Sequence, residues 1–176
     1  MRLRSGTQRS VIDEPSPREP MIRDGQNSDS DALIALIASV YAEYPGCVLD
    51  VDGEAPHLRR PASAFGEWGG RLWVAELHGQ IAGCVGFADH GEAVEVKHLY
   101  VATAARRRGL GGRLARLVEE RARDVGRTRV ELWTDTRFTD AHRLYERLGY
   151  ERGPETRELH DLSGTIEYFY SKRLTG

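Results

Sequence analysis

The stretch that decides the fold runs from Val94 to Arg123 and reads VEVKHLYVATAARRRGLGGRLARLVEERAR. Its first eight residues are rich in β-branched and apolar side chains, which favours a largely buried strand. Its last part places Leu110, Leu114 and Val118 at helical spacing, which predicts an amphipathic helix. Three arginines and three glycines lie in between, so the stretch predicts a strand, a glycine-rich turn and a helix.

The predicted turn points backbone N–H groups at one spot. The first four N–H groups of a helix have no partner inside the helix, and the helix dipole adds partial positive charge there. Glycines let a phosphate approach such a backbone closely, since a side chain would hold it away. The sequence therefore predicts a phosphate or pyrophosphate site at the turn.

The turn does not match the two most familiar phosphate-binding motifs. No Gly-Lys-Ser/Thr follows the glycines, and Gly109, Gly111 and Gly112 do not fit G-x-G-x-x-G. The order Arg106-x-x-Gly109-x-Gly111 instead resembles the acyl-CoA signature Q/R-x-x-G-x-G/A of the GNAT superfamily of N-acyltransferases. The alternative interpretation is an ordinary glycine-rich turn with basic surface residues.

A second segment resembles the same superfamily. Residues Asp140–Tyr150 read DAHRLYERLGY, which is similar to the GNAT pattern A-x-x-x-Y-x-x-x-G-F/Y. Two signatures in the right order make a stronger case than either one alone. One departure is Phe138, which stands where the superfamily often has Asn. The matching residues are Ala141, Tyr145, Gly149 and Tyr150.

Apolar periodicity and turn residues predict the other elements. The stretch Pro45–Gly70 is rich in Gly and Pro, and we expect a loop there with one helical turn around Pro61–Trp68. His78-Gly79 predicts a two-residue hairpin. Further helices are expected from Ser30 to Tyr44, up to Val125, and over Thr139–Leu148. The predicted strands are Met21–Arg23, Arg71–Leu77, Gln80–Ala88, Ala93–Val101, Arg129–Thr134, Tyr150–Thr156 and Ile166–Leu174.

The resemblance implies an α/β (α+β) fold with a central mixed, mostly antiparallel sheet of about seven strands flanked by helices. It also implies acetyl-CoA as the cofactor, with its pantetheine arm between two splayed strands and its pyrophosphate on the turn. A backbone N–H near Val101 is the implied oxyanion donor. The implied cofactor-binding residues are Leu99, Tyr100, Val101, Arg106, Arg107, Arg108, Gly109, Leu110, Gly111, Gly112, Ala141 and Tyr145.

Two residues are candidates for proton transfer. Tyr145 matches the position where the superfamily commonly places its acid, and the alternative is core packing with Leu144 and Leu148. Glu95 is the candidate base, directly or through water. Strict alternation places it on the strand face of Lys97, Leu99 and Val101, with His98 packed on the opposite face. The alternative for Glu95 is a solvent-facing or salt-bridged carboxylate.

Length and charge set modest limits on function. A chain of 176 residues predicts one domain. The 25 basic and 27 acidic residues give a net charge of −2, so no overall field favours nucleic acid. Positive charge is local, because Arg106–Arg123 holds seven arginines against Glu119 and Glu120, a net of +5. A nucleic-acid binder is disfavoured, since no aromatic residues alternate with these arginines.

Cysteines and termini favour a cytoplasmic protein. Cys47 and Cys84 form no C-x-x-C or Cys/His cluster, which fits a reduced compartment without disulfide or zinc. No apolar run reaches the ~18 residues of a membrane span. Residues 1–20 lack the apolar core of a secretory signal, and their Pro, Ser and mixed charge predict a disordered tail before a domain at 21–176.

We therefore expect a GNAT-type acetyltransferase that moves an acetyl group from acetyl-CoA to a primary amine of a small molecule. Direct attack in a ternary complex is expected, because neither cysteine lies where a covalent relay would need one. The alternatives are acetylation of a peptide or protein N-terminus or lysine, a longer acyl donor, and a non-catalytic acyl-CoA sensor. No nucleic-acid or membrane partner is expected, and the resemblance allows a homodimer.

Overall fold

The computed structural model describes residues 19–175, which form seven strands and four α-helices. The predicted tail lies outside the described residues apart from Glu19 and Pro20. None of the described helices has the length and apolar character that a membrane crossing requires. The elements are β1 (Met21–Asp24), α1 (Ser30–Tyr41), α2 (Pro61–Glu67), β2 (Arg71–Leu77), β3 (Gln80–Asp89), β4 (Val94–Val101), α3 (Leu110–Asp124), β5 (Arg129–Asp135), α4 (Thr139–Arg147), β6 (Glu151–Glu158) and β7 (Ile166–Arg173).

All seven strands belong to one sheet in the order β1-β2-β3-β4-β5-β7-β6. Only β4 and β5 run parallel, and the other neighbouring pairs are antiparallel. The predicted mixed, mostly antiparallel sheet flanked by helices is confirmed. The predicted hairpin at His78-Gly79 is also confirmed, since Leu77 pairs with Gln80 and both turn residues have positive φ, 52° and 73°.

The parallel strands β4 and β5 pair over only part of their length. Their pairing runs from Val94 opposite Val130 to Val96 opposite Leu132. Beyond that point the β5-facing edge of Leu99–Val101 has no ladder partner in β5. The two strands therefore separate, as the resemblance implied, and backbone groups of β4 border the gap.

Strand β4 contains a β-bulge at His98. Cys84 pairs with Tyr100 whereas Gly86 pairs with Lys97, so β4 has one residue more than β3 over this stretch. His98 has φ 54°, in the left-handed region that non-glycine residues rarely adopt. A bulge of this kind reverses the alternation of the side chains that follow it.

The bulge corrects the predicted face of Glu95. Leu99 and Val101 pack with the α3 side of the core, on which Val96 also lies. Glu95, on the other side of the strand, is bonded to Lys97, whose ammonium lies over the Trp68 ring beside α2. The expectation that Glu95 shares a face with Leu99 and Val101 is wrong, because strict alternation does not survive an inserted residue.

Two glycines of β3 let side chains approach the strand closely, one from each face of the sheet. A Cβ on Gly86 would lie 2.1 Å from the ring of Phe65, a fully buried residue of α2. A Cβ on Gly83 would lie 3.2–3.3 Å from Leu110 and Leu114 of α3. At β3 the sheet is therefore covered by α2 on one face and by α3 on the other.

The stretch Pro45–Gly70 is more ordered than its composition indicates. The expected helical turn is the seven-residue helix α2, and a 3-10 turn spans Pro56–Arg59. Buried Ala55 and Leu58 pack this stretch against Ile37 of α1. Val48 and Ser163 exchange two hydrogen bonds, so the loop after α1 is also joined to the β6–β7 loop.

Candidate active site

A cleft of about 400 Å³ opens where β4 and β5 separate. Its walls come from the end of β4, the N-terminus of α3, the inner face of α4 and the end of α1. The apolar part of the lining adjoins a group of arginines. The lining residues are Val40, Tyr44, Leu99, Tyr100, Val101, Arg106, Arg107, Gly109, Leu110, Gly111, Gly112, Phe138, Asp140, Ala141, Arg143, Leu144, Tyr145 and Arg147.

The N-terminus of α3 lies where the sequence predicts an anion site. Helix α3 begins at Leu110 after Gly109, whose φ of 76° is left-handed, and no side chain caps this terminus. The first N–H groups of the helix therefore face the cleft side without a side-chain acceptor. Arg107 and Arg147 line the same cleft and add positive charge. The arrangement favours a phosphate at this end of the cleft.

Most of the predicted cofactor-binding residues come together in this cleft. Leu99, Tyr100 and Val101 border it from β4, and Ala141 and Tyr145 face it from α4. The turn residues also line it, with the exception of Arg108, which is exposed and lies outside the lining. The turn residues in the lining are Arg106, Arg107, Gly109, Leu110, Gly111 and Gly112.

Arg106 has a structural role that its motif position did not reveal. Its guanidinium donates to both carboxylate oxygens of Glu43 at 2.6 and 2.7 Å, and its Nε donates to the Val101 carbonyl at 2.9 Å. The bond with Arg106 lowers the pKa of Glu43. Arg106 therefore ties the end of α1 to the end of β4, while its predicted contact with the cofactor stays a prediction.

Tyr145 combines the two roles that its sequence position left open. It packs against the rings of Tyr150 and Tyr170 in the core, with centroids 5.7 and 6.0 Å away. It also lines the cleft. Burial raises the pKa of its hydroxyl above the usual value for tyrosine. Tyr145 is therefore a neutral hydrogen-bond donor at physiological pH.

Glu95 lies outside the cleft lining, on the α2 side of β4. Its carboxylate accepts hydrogen bonds from Lys97 Nζ at 2.9 Å and pairs with His90 Nε2 at 2.7 Å, and the residue is 9% exposed. Burial alone raises the pKa of Glu95, but the bonds to Lys97 and His90 outweigh it and the net shift is downward. Glu95 is therefore ionised at neutral pH, and its role as a base stays a prediction.

Several residues of the site carried no clear sequence signal. Tyr44 and Phe138 both line the cleft, and their rings are in tilted contact with 4.7 Å between the centroids. Arg143 and Arg147 line the α4 wall, and their spacing of four residues beside Ala141 is the only pattern that could have indicated them. Tyr44 follows the end of α1, and no motif connects it with a site 94 residues later in the chain.

Three histidines have partners that explain their positions. His98 is a packed strand residue as predicted, but on the same side as Glu95 and not opposite to it. Its Nε2 lies 2.7 Å from Nε2 of His57. His142 contacts the carbonyl of Asp135 at 2.9 Å and stacks on Tyr170, so it joins α4 to β5 without lining the cleft.

The half-buried imidazole of His98 predicts a pH-dependent stability. Burial lowers its pKa from 6.5 to about 3. As pH falls below 6.5, His98 is protonated in the unfolded chain before it is protonated in the folded protein. The free energy of unfolding is therefore highest above pH 6.5 and falls by about 1.4 kcal/mol per pH unit towards pH 3. We expect His98→Asn, which accepts the same backbone and does not titrate, to reduce the pH dependence of the unfolding free energy between pH 6.5 and 5. Equal slopes in urea titrations of the two proteins would contradict this.

The two cysteines are poor candidates for a covalent acyl relay. The Cys84 thiol is fully buried, burial raises its pKa to about 12, and it donates to the His98 carbonyl. Burial also raises the pKa of Cys47, which lies 4.0 Å from an oxygen of Asp135. Neither thiol lines the cleft described here, and both favour the unreactive protonated form.

The fold and the cleft define a class of protein in which an uncapped helix terminus, an open strand edge and a buried tyrosine border one cleft. The profile of the acetyltransferase (GNAT) family matches residues 35–150. That match covers well over half of the chain, and the chain therefore belongs to the GNAT family of acetyltransferases.

Individual relatives agree with the family assignment. The uncharacterized N-acetyltransferase YjgM of Escherichia coli is 31% identical over 142 residues, which cover 77% of this chain and 84% of that protein. The aminoalkylphosphonate N-acetyltransferase of Salmonella typhimurium is 28% identical, with 74% and 84% covered. A GNAT acetyltransferase structure from Staphylococcus aureus superposes with a TM-score of 0.75 at 21% identity, covering 89% of this chain and 99% of that one. The protein is an acyltransferase enzyme.

The family uses acetyl-CoA. The structure of yncA from Salmonella typhimurium was solved with that cofactor. It superposes with a TM-score of 0.67 at 19% identity and covers 89% of this chain and 95% of that one. The cleft fits this group on its own geometry. The uncapped α3 terminus suits a pyrophosphate, and the open edge of Leu99–Val101 suits a chain of amides. Gly111 leaves room between α3 and α4, where a Cβ would lie only 3.0 Å from Leu144. Acetyl-CoA supplies the activated acetyl group as a thioester.

Proposed function

We propose that this protein transfers the acetyl group of acetyl-CoA directly to a primary amine of a small molecule. The observation that carries the proposal is the joint lining of one cleft by the α3 turn, the open edge of Leu99–Val101 and the hydroxyl-bearing Tyr145. Binding groups for the donor and a hydrogen-bond donor for the departing sulfur thus face the same space. Catalysis in such a site is mainly positioning, which makes the encounter effectively intramolecular.

Tyr145 is proposed to act on the leaving group. Its hydroxyl keeps its proton because burial raises its pKa. A phenol is a weaker acid than a thiol, whose ordinary pKa is ~8.5, so complete transfer of the proton is unfavourable even to the fully formed thiolate. Tyr145 therefore stabilises the developing thiolate chiefly through a hydrogen bond.

The backbone at the end of β4 is proposed to stabilise the oxyanion. The gap between β4 and β5 leaves the groups of Leu99–Val101 without a ladder partner on that side. A backbone N–H near Val101 can then donate to an oxygen that gains negative charge, without any reorganisation of the chain. The bulge at His98 fixes the direction of these groups.

Glu95 is proposed as the group that receives the ammonium proton, through water. It lies outside the cleft lining, so we propose that it acts on the amine through water and not by direct contact. Its carboxylate is ionised and already bonded to Lys97 and His90. Its lowered pKa makes it a weak base, so Glu95 is proposed to orient the water that takes the ammonium proton and to pass that proton on to solvent without retaining it.

Names of relatives support a small amine as the acceptor. The Salmonella relative acts on an aminoalkylphosphonate by its name, and a zebrafish relative, 32% identical over 124 residues, is an N-acetylaspartate synthetase. This chain covers 42% of the zebrafish protein, so that relative bears on the shared domain alone. One name gives a small amine as the substrate and the other gives an N-acetylated amino acid as the product, and a small amine is the acceptor class proposed here. Acetylation of a protein N-terminus or lysine is the second candidate.

Replacing Tyr145 with phenylalanine tests the proposal. We expect Tyr145→Phe to lower kcat by roughly 100-fold, because one positioned proton donor contributes about 10²–10⁴-fold. The KM for acetyl-CoA is expected to stay within about threefold, since the ring still packs against Tyr150 and Tyr170. Free thiol is measured over a panel of amino acids, aminoalkylphosphonates, polyamines and short peptides.

The same panel decides between the candidates. Turnover with small amines and none with peptides supports the proposal, whereas turnover with peptides alone favours the second candidate. Stabilisation by acetyl-CoA without turnover on any acceptor would indicate a sensor. Tyr150→Phe serves as the matched control, since it also removes a buried hydroxyl but lies outside the cleft lining. A Tyr145→Phe variant with unchanged kcat would remove Tyr145 from the mechanism.

A further inference from the structure

Two imidazoles meet beside the strand that borders the cleft. Nε2 of His57 lies 2.7 Å from Nε2 of His98, which is hydrogen-bond distance. His57 belongs to the Pro56–Arg59 turn, and His98 is the bulge residue of β4. The bond therefore connects a turn on the α2 side of the sheet with the irregular backbone of the strand that borders the cleft.

The backbone at His98 needs support from its surroundings. Its φ of 54° costs a non-glycine residue about 1–2 kcal/mol, and such conformations persist only where neighbouring groups determine them. The His98 ring contacts those of Phe65 and Tyr100, with centroids 5.8 and 6.0 Å away, and Cys84 donates to its carbonyl. The bond to His57 is the polar contact made by the imidazole itself.

The bond joins two neutral rings. Burial lowers the pKa of both His57 and His98, and the neighbouring charge of Lys97 acts in the same direction. The other titratable groups around the pair are the Cys84 thiol and the hydroxyl of Tyr100, which contacts that of Tyr41 at 3.3 Å. One imidazole therefore donates its Nε2–H and the other accepts, so the contact is directional.

The bulge determines which side of the sheet the side chains after His98 face. A shift of one residue in a strand turns every following side chain and backbone group to the other side. With the bulge in place, Leu99 and Val101 pack towards α3 and the segment Leu99–Val101 lines the cleft. Any change at His98 is therefore transmitted to the backbone that borders the donor site.

We propose that His57 and His98 form a positioning pair for acyl transfer, in which the bond between the imidazoles holds the β4 bulge in the conformation that aims the backbone of Leu99–Val101 into the cleft. Neither residue lines the cleft, so both act through the strand. The kinetic consequence rests on the proposed acetyl transfer, whereas the structural consequence is independent of it.

Two sets of variants test the pair: the first removes the bond between the imidazoles, and the second makes the bulge independent of that bond. His57→Leu replaces the imidazole with an apolar side chain and so loses the bond. We expect its kcat to fall by roughly 10-fold or more, since small displacements of positioning groups carry large rate effects. The KM for acetyl-CoA is expected to stay within threefold. His57→Gln restores a polar group near the position of Nε2 and is expected to stay within threefold of wild-type kcat.

Glycine at position 98 provides the second test. Glycine adopts positive φ without strain, so the bulge no longer depends on the imidazole bond. The double variant His57→Leu/His98→Gly is therefore expected to have a higher kcat than His57→Leu alone. If the pair contributed only packing, the second loss of a ring would lower kcat further, and that result would overturn the proposal.

A readout without cofactor or acceptor separates this inference from the proposed function. In the unliganded protein, the backbone ¹⁵N–¹H resonances of Leu99, Tyr100 and Val101 are expected to move in His57→Leu and to return towards wild type in His57→Gln. Unchanged resonances in a folded His57→Leu variant would overturn the proposal. Should the leucine variant not fold, His57→Asn, whose amide is too short to reach His98, takes its place. If wild type acetylates no amine, the proposed function fails while these resonances still decide the pair.

Discussion

Gly111→Leu is expected to weaken acetyl-CoA binding by at least about 100-fold, or about 2.7 kcal/mol. Gly111 lines the cleft in the first turn of α3, where an added Cβ would lie 3.0 Å from Leu144 and 3.8 Å from Val101. A leucine side chain there has no room except in the space that the cofactor requires. It would also hold a phosphate away from the N–H groups at the helix terminus.

Isothermal titration with acetyl-CoA and with free CoA measures this effect. Gly66→Leu is the matched control, because Gly66 lies in α2, is exposed, and a Cβ there meets nothing within 4 Å. Both variants are expected to remain folded by circular dichroism, and only Gly111→Leu should lose affinity. A folded Gly111→Leu protein with wild-type affinity for both ligands would show that the cofactor does not use the start of α3.

Gly86→Ala is expected to destabilise the fold by about 3 kcal/mol and to lower Tm by roughly 6–12 °C. The added methyl group would lie 2.1 Å from Phe65, which is 0% exposed and packs with Val74 and Cys84. A rigid ring enclosed on all sides cannot move aside by rotation of a flexible end. Either the ring leaves its site or α2 shifts away from the sheet.

A double-variant cycle with Phe65→Leu isolates the cause. The smaller side chain vacates the space above Gly86, so the cost of Gly86→Ala is expected to fall by 1 kcal/mol or more in the Phe65→Leu background. Urea unfolding of the four proteins gives the coupling free energy. Additive effects would mean that the destabilisation arises elsewhere, for example from the backbone of β3.

Local patterns were sufficient for most of the architecture. Alternation and helical periodicity act between residues close in the chain, and they predicted the seven strands to within a few residues at each end. Strand β6 runs on to Glu158, beyond the predicted end at Thr156, because the charged residues Arg157 and Glu158 leave no apolar pattern. No local pattern reveals that the ring of Phe65 packs on Gly86.

Local motifs also predicted some residues of the candidate site but not the long-range contacts that hold them. The cleft-lining turn and the α4 residues Ala141 and Tyr145 were predicted because each belongs to a short motif within one helix or turn. Arg106 was assigned to the cofactor alone, but its guanidinium is held by Glu43, which is 63 residues away in the chain. No spacing rule relates two such positions, so the ion pair becomes visible only when α1 packs against β4.

The amino-acid sequence by itself determined the strand–turn–helix that we propose as the donor site, because orphan N–H groups and glycine backbone freedom are properties of the local chain. Tertiary structure decided on which side of the sheet Glu95 lies and which partners hold the bulge at His98. Both depend on pairing with β3 and on His57, which is 41 residues distant from His98. An inserted residue reverses every later side chain, and whether it is inserted is settled by long-range packing and not by the strand's own sequence.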